Sequence, residues 1–244
     1  MRKVVKTVEI NAIKLENTDD LKKAEKALLN SLIKMEKTLL SGSKPAYFDG
    51  IISRNINRKI SLRISKYLAS TGITPNQISI ISFLISAIGS SLFLLNNHIT
   101  TLIGGLLIQF SSIVDGCDGE IARLKFMESK YGAWLDGILD RYADFIIVFC
   151  MTMSVLEMNP VFWAAIGLFA ALATFMIPYT GDKYVVAYKE TYVDRGFFIP
   201  MTRDVRMFLV MLGAIFNSLG AALIILAVLG NLESIRRVIA LRSS

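Results

Sequence analysis

The sequence predicts an all-α integral membrane protein, a six-transmembrane-helix bundle with an N-terminal juxtamembrane amphipathic helix. Three observations lead there. The 244 residues are 53% hydrophobic with a mean hydropathy of +0.51, well above a soluble composition. The apolar residues gather in runs long enough to cross a bilayer, and the Lys and Arg residues avoid those runs. The formal charge of +7 suits a wet face that meets anionic phosphates or lipid headgroups, with membrane lipids and no nucleic acid among the expected partners.

Taken in order, residues 1–45 read as a polar cytoplasmic appendage and residues 46–244 as the membrane domain. The appendage opens with a β-like stretch, VVKTVEINAIKL, followed by a helical pattern begun by Thr18 with Asp19 and Asp20 in its first turn. Leu21, Ala24, Leu28, Leu32, Met35 and Leu39 repeat at helical spacing, which gives that helix an apolar face. The first forty residues are charged and hold no signal-peptide core, so the N-terminus is expected to stay in the cytoplasm. After the linker SGSKPAY, Asp49 to Ser70 places Ile52, Ile56, Ile60, Ile64 and Tyr67 along one side, with basic residues elsewhere, as in a helix lying at the membrane interface.

Spanning segments are expected near 77–95, 101–123, 132–157, 160–182, 203–217 and 219–238. The last two share MFLVMLGAIFNSLGAALIILAVLGNL, 26 residues, long for one span and short for two. Charge decides for two. With the N-terminus inside, six spans keep Arg123, Lys125, Lys130, Lys183, Lys189, Arg195, Arg203, Arg206, Arg236 and Arg237 on the cytoplasmic side, whereas NNHIT, EMNP and NSLG carry no Lys or Arg. A hairpin is therefore expected at Asn217 to Gly220. Cys117 and Cys150 lie inside apolar segments and read as buried thiols, and His98 reads as a surface residue of an outer turn.

The chemistry concentrates in residues 113–149, which begin and end apolar yet carry five aspartates. Asp115 and Asp118 share a helix face, and Gly119 and Ala122 fall on it too. Gly132, Asp136, Asp140 and Asp144 step by four along the next helix, so two carboxylate rows can oppose each other. Asp115 precedes Arg123 by eight residues, about 12 Å along a helix, which sets the acids just below the cytoplasmic surface. No Lys or Arg lies in the upper part of these helices, so neutralising charge is expected from outside the chain. Oxygen ligands without His favour a hard divalent ion, Mg²⁺ or Mn²⁺, as a pair suited to phosphoryl transfer. Glu120 and Asp144 read as structural acids paired to Arg123 or Arg141. A cation or proton transporter is the competing reading for acids at this depth.

The pattern D-x-x-D-G-x-x-A-R-x8-G-x3-D-x3-D, met by Asp115, Asp118, Gly119, Ala122, Arg123, Gly132, Asp136 and Asp140, resembles the signature of the CDP-alcohol phosphotransferases. Thr74, Pro75 and Asn76 resemble that family's entry to its first span. The resemblance implies a bundle of this kind, often homodimeric, in which Asp115, Asp118, Asp136 and Asp140 hold two metal ions. It further implies that Asp115, Gly119, Ala122, Arg123, Gly132, Pro75 and Asn76 surround the nucleotide of a CDP-alcohol donor. Asp140 would be the general base for an acceptor hydroxyl that displaces CMP. Among the basic residues expected on the same side, Lys183 and Arg195 included, Lys130, Arg141, Arg203 and Arg206 are the candidates for holding a phosphate-bearing acceptor.

Segments such as FDGIISRNINRKIS and YGAWLDGILDRYAD are most similar to the inositol-phosphate branch, including di-myo-inositol phosphate phosphate synthases. Transfer from CDP-inositol to an inositol phosphate is the expectation, and headgroup synthesis from CDP-diacylglycerol or CDP-archaeol the alternative. ENTDDLKKAEKALLNSLIK resembles the closing helix of a cytidylyltransferase domain. The rest of such a domain is not in this sequence, so a cytidylyltransferase partner is expected to load the nucleotide.

Overall fold

The structure is a computed structural model, and it describes residues 25–26, 28–32, 35, 52–189 and 201–242. The chain divides into two units, Met1–Lys44 and Pro45–Ser244. In the first, the described residues are helical, and Leu28, Leu32 and Met35 of the expected apolar face are exposed. The expected β-like stretch, the Thr18 helix start, the SGSKPAY linker and Arg195 lie outside the described residues.

The described part of the second unit is helical throughout and has no strand. A π-helical turn, Ser53–Asn57, leads into α1 (Arg58–Ala69). Then come α2 (Pro75–Ser91), α3 (His98–Leu124), α4 (Lys130–Val155), α5 (Pro160–Tyr188), α6 (Arg203–Ile215) and α7 (Leu219–Arg242). The ends follow from local chemistry. Thr74 and Gln77 form a reciprocal capping box around Pro75 at the start of α2. Asn97, Ser129 and Asn159 cap α3, α4 and α5 by accepting from backbone N–H groups with their side chains. His98, expected in a turn, is instead the first residue of α3 and is exposed.

Among the described residues, four segments are long and apolar enough to cross a membrane: Pro75–Leu95, His98–Leu124, Pro160–Tyr188 and Leu219–Ala240. The other two expected spans fall short on their own. α4 carries Asp136, Asp140 and Arg141 in its first half and Asp144 just beyond it, and α6 has only 13 residues. The apolar stretch shared by the fifth and sixth expected spans, α6 and α7, is broken at residues 216–218, where Asn217 adopts a left-handed φ of 50° and Ser218 N–H donates to Gly213 O at 2.7 Å.

Packing relies on small residues, as it must where the surroundings are as apolar as the side chains. α2 meets α3 at Gly89, where a Cβ would stand 2.9 Å from Gly104 O and 3.0 Å from Leu107 Cβ. α3 also packs on α1 and α6, while α4 touches α2, α5 and α7. Phe93, Ile108, Ile147, Met151, Val210 and Leu223 fill the centre.

α1 is seated by its polar side. Ser61 and Ser65 are buried and donate to Glu120 Oε1 and Oε2 at 2.8 and 2.6 Å, while Asn57 accepts from Gln109 Nε2 at 2.9 Å. Ile56, Ile60 and Tyr67 of the apolar side stay exposed, and Ile64 packs beside Cys117 and Ile121. Cys117 and Cys150 are both buried free thiols.

Gly89→Val forces α2 from α3 and is expected to cost about 1–3 kcal/mol, read as a lowered Tm in detergent. Gly181→Ala, where nothing lies within 4 Å, should leave Tm unchanged or slightly raised.

Candidate active site

Four helices converge on one cluster. α3 brings Asp115 and Asp118, and α4 brings Asp136 and Asp140 one turn apart. Ligand oxygens of Asp115, Asp136 and Asp140 all lie within 4.8 Å of one another, and the Asp118 carboxyl adjoins that of Asp136. α2 supplies hydroxyls: Ser79 Oγ donates to Asp118 Oδ2 at 2.6 Å and Ser82 Oγ to Asp115 Oδ1 at 3.2 Å. The Gly119 backbone N–H donates to Asp118 Oδ1.

α6 supplies the charge. Arg203 Nη1 stands 2.7 Å from Asp115 Oδ2 and 2.8 Å from Asp140 Oδ1, joining the two carboxylate rows. Its Nε lies 3.7 Å from Asp144 Oδ1. One turn further, Arg206 Nη2 meets Asp144 Oδ2 at 2.6 Å and Nη1 donates to Met201 O at 2.9 Å. The positive charge expected from outside the chain is thus partly supplied from within it. Arg203 lies on a separate helix far beyond the acids in sequence, so spacing within the two acidic helices does not reveal it. The partner expected for Asp144 is also corrected. Asp144 pairs with Arg206, and Glu120 accepts from Ser61 and Ser65, because α6 and α1 cover those faces of the acidic helices.

The remaining predicted residues fall at graded distances. A Cβ at Gly132 would stand 3.0 Å from Asn76 Oδ1, so the first turn of α2, which Pro75 opens, meets that of α4 at Asn76 and Gly132. A Cβ at Gly119 would stand 3.3 Å from Arg123 Nη1, and Ala122 and Arg123 are half-buried on the same helix. Arg141 Nη1 is 3.8 Å from Asp140 Oδ2. Lys130 is exposed at the start of α4, whereas Arg206 is buried behind the cluster. Ser79 and Ser82 escaped the sequence reading. Their signal was there: serines at 79, 82, 86 and 90 line one buried face of an otherwise apolar helix.

Among the described residues, Asp136 Oδ1 is buried and finds no hydrogen-bond partner. An orphaned carboxylate oxygen among convergent carboxylates, with no imidazole in the set, fits a hard divalent cation.

Residues 72–232 match the family described as CDP-alcohol phosphatidyltransferase. The chain belongs to this family. A family relative in Aquifex aeolicus, named a bifunctional IPC transferase and DIPP synthase, is 34% identical over 91% of this chain and 48% of its own length. The chain therefore spans about half the length of that relative. An archaetidylinositol phosphate synthase of Pyrococcus horikoshii is 31% identical over 72% of this chain and 87% of its own. The crystal structure of Mycobacterium tuberculosis phosphatidylinositol phosphate synthase with CDP-DAG bound superposes with a TM-score of 0.62 at 22% identity, covering 74% of this chain and 92% of that one. Family and apolar helices together make this an integral membrane protein.

Arg203→Gln leaves the acids of the cluster facing one another without their cation. Without divalent ions its Tm should fall by several degrees or more, about 3–5 kcal/mol. Added Mn²⁺ should raise Tm more in the variant than in the wild type.

Proposed function

We propose that the chain transfers an inositol-phosphate unit from CDP-inositol to the hydroxyl of an inositol phosphate and releases CMP. The observation that carries this reading is the convergence of Asp115, Asp136 and Asp140 oxygens within 4.8 Å, with a guanidinium between Asp115 and Asp140. Asp115, Asp118, Asp136 and Asp140 would hold two divalent ions, Mg²⁺ or Mn²⁺, and such ions neutralise the oxygens of a pyrophosphate and stabilise the leaving phosphate.

The chain's own residues do the rest. Asp140 Oδ1 is engaged by Arg203, while Oδ2 has only the longer contact to Arg141, which leaves Oδ2 to take the acceptor proton. The acceptor oxygen then forms its bond to the β-phosphorus as the bond from that phosphorus to the CMP oxygen breaks. Arg203 and Arg141 are placed to orient an acceptor phosphate, and exposed Lys130 to attract it. Asn76, Gly119, Ala122, Arg123 and Gly132 frame the space for the nucleotide, where side chains larger than those present would intrude. Six spans with the site and N-terminus on the cytoplasmic side agree with the charge distribution, the exposed apolar side of α1 lying in the headgroup layer. Residues 1–45 read as the tail of a cytidylyltransferase domain, and homodimerisation belongs to the same reading.

A second reading replaces the donor by a CDP-lipid. It is favoured by the archaetidylinositol phosphate synthase, a relative of which this chain covers 87%. CMP release with Mg²⁺ from CDP-inositol, CDP-diacylglycerol and CDP-archaeol separates the two, and activity only with a lipid donor overturns the first. Ion flux in proteoliposomes without CMP release from any donor would identify a transporter instead.

Asp118→Asn and Asp136→Asn should abolish CMP release. Asp140→Asn should lose turnover by about a hundredfold or more while still binding the CDP donor; normal turnover in that variant removes the base from Asp140.

A further inference from the structure

Asp144 and Arg206 form a buried pair, 1% and 3% exposed, just behind the acidic cluster. Both terminal nitrogens of Arg206 are used inside the protein, one by Asp144 and one by Met201 O. Asp144 lies one turn beyond Asp140 on α4, and Arg203 one turn before Arg206 on α6. Arg203 therefore has two claims on it. Its Nη1 bridges Asp115 and Asp140, while its Nε faces Asp144 Oδ1 at 3.7 Å.

Resting on the reading above, we propose that Asp144 and Arg206 are positioning residues that set how firmly the Arg203 guanidinium sits between Asp115 and Asp140. Neither touches substrate. With Arg206 engaging Oδ2 of Asp144, Arg203 is left to the cluster. Without Arg206, a buried carboxylate lacks its counter-ion and draws Arg203 toward itself, away from Asp115 and Asp140. Without the charge of Asp144, the opposite happens: Arg203 has only Asp115 and Asp140 to answer, and it grips them more tightly. The two removals therefore change access to the carboxylates in opposite directions. Mere loosening of the fold would move both the same way.

Mn²⁺ alone is the probe, titrated into the purified full chain in detergent, with free Mn²⁺ followed by electron paramagnetic resonance. R206M should bind Mn²⁺ about fivefold more tightly than wild type and D144N about fivefold more weakly. In an R203Q background each effect should shrink to less than about twofold, because both act through Arg203. R206K, which keeps the charge but not the two-pronged geometry, should fall between R206M and wild type, and it serves should R206M not fold. E233Q disturbs a buried pair elsewhere, Glu233 with Arg237 on α7, and should leave Mn²⁺ affinity unchanged.

Shifts of the same sign in R206M and D144N, no shift in either, or shifts that persist undiminished with R203Q would overturn the proposal. With CDP-inositol and inositol phosphate, R206K should raise the acceptor KM several-fold while leaving the donor KM near wild type, about a threefold difference or more between them. Wild-type protein that releases no CMP from any donor would defeat the functional reading, and the Mn²⁺ cycle would still decide the positioning one. Normal CMP release with no coupling in the cycle defeats positioning alone.

Discussion

Like charges held together are the constraint on which this bundle depends. At 4.8 Å two carboxylates repel by about 3–4 kcal/mol even at an effective dielectric of 20. Several such pairs meet here at one end of a helix bundle. Relaxation would splay α3 from α4, so the surrounding helices must both restrain and neutralise. α2 donates Ser79 and Ser82 into the outer oxygens of Asp118 and Asp115, and α6 lays Arg203 across Asp115 and Asp140. The geometry that results keeps negative oxygens close enough to suit doubly charged ions.

How much of this could be read from the sequence depends on whether the relevant signal is periodic or contact-based. The α3 and α4 acids follow from helical spacing, because three and four residues return to the same face whatever the neighbours are. The break at Asn217 was legible through charge placement and turn chemistry. Arg203 was legible as a basic residue near the site, but its place between two aspartates was not, since nothing local in the sequence says which helix closes over the acids. Asp144 shows the same limit. Its spacing set it on the acidic face, and its partner Arg206 became visible only when α6 was brought against α4. The span lengths show a different limit: α4 has the length to cross a bilayer but not the composition, because the chemistry occupies half of it.

The first turn of α6 gathers these constraints. Arg203 reaches the cluster, Asp204 Oδ2 accepts from Ser53 N–H at 2.7 Å, and Arg206 reaches Asp144. Three side chains within four residues thus tie the turn before α1, the acidic helices and the interior of α6 to one another. A short helix suffices for this. Its inner half packs on α3 and α7 through Val210, Gly213 and Ala214, while its outer half is specified by charge. Small residues make the arrangement possible, since arginine and serine reach their acids only if the backbones approach closely.

α3 itself separates a structural acid from a functional one. It carries acids on two sides, and serines answer both. On the α1 side, Ser61 and Ser65 take one oxygen each of Glu120, which is 3% exposed and has no carboxylate oxygen left over. On the other side, Ser79 and Ser82 each take one oxygen of a different aspartate, and Asp136 Oδ1 stays buried without a hydrogen bond. The same short donors, reaching α3 from α1 on one side and from α2 on the other, therefore close one site and leave the other, where α4 adds Asp136, with capacity to spare. A buried acid whose oxygens are all satisfied can only hold the fold. A cluster that keeps an unsatisfied oxygen, next to a guanidinium on a separate helix, still has an interaction to make, and the charge it calls for is positive.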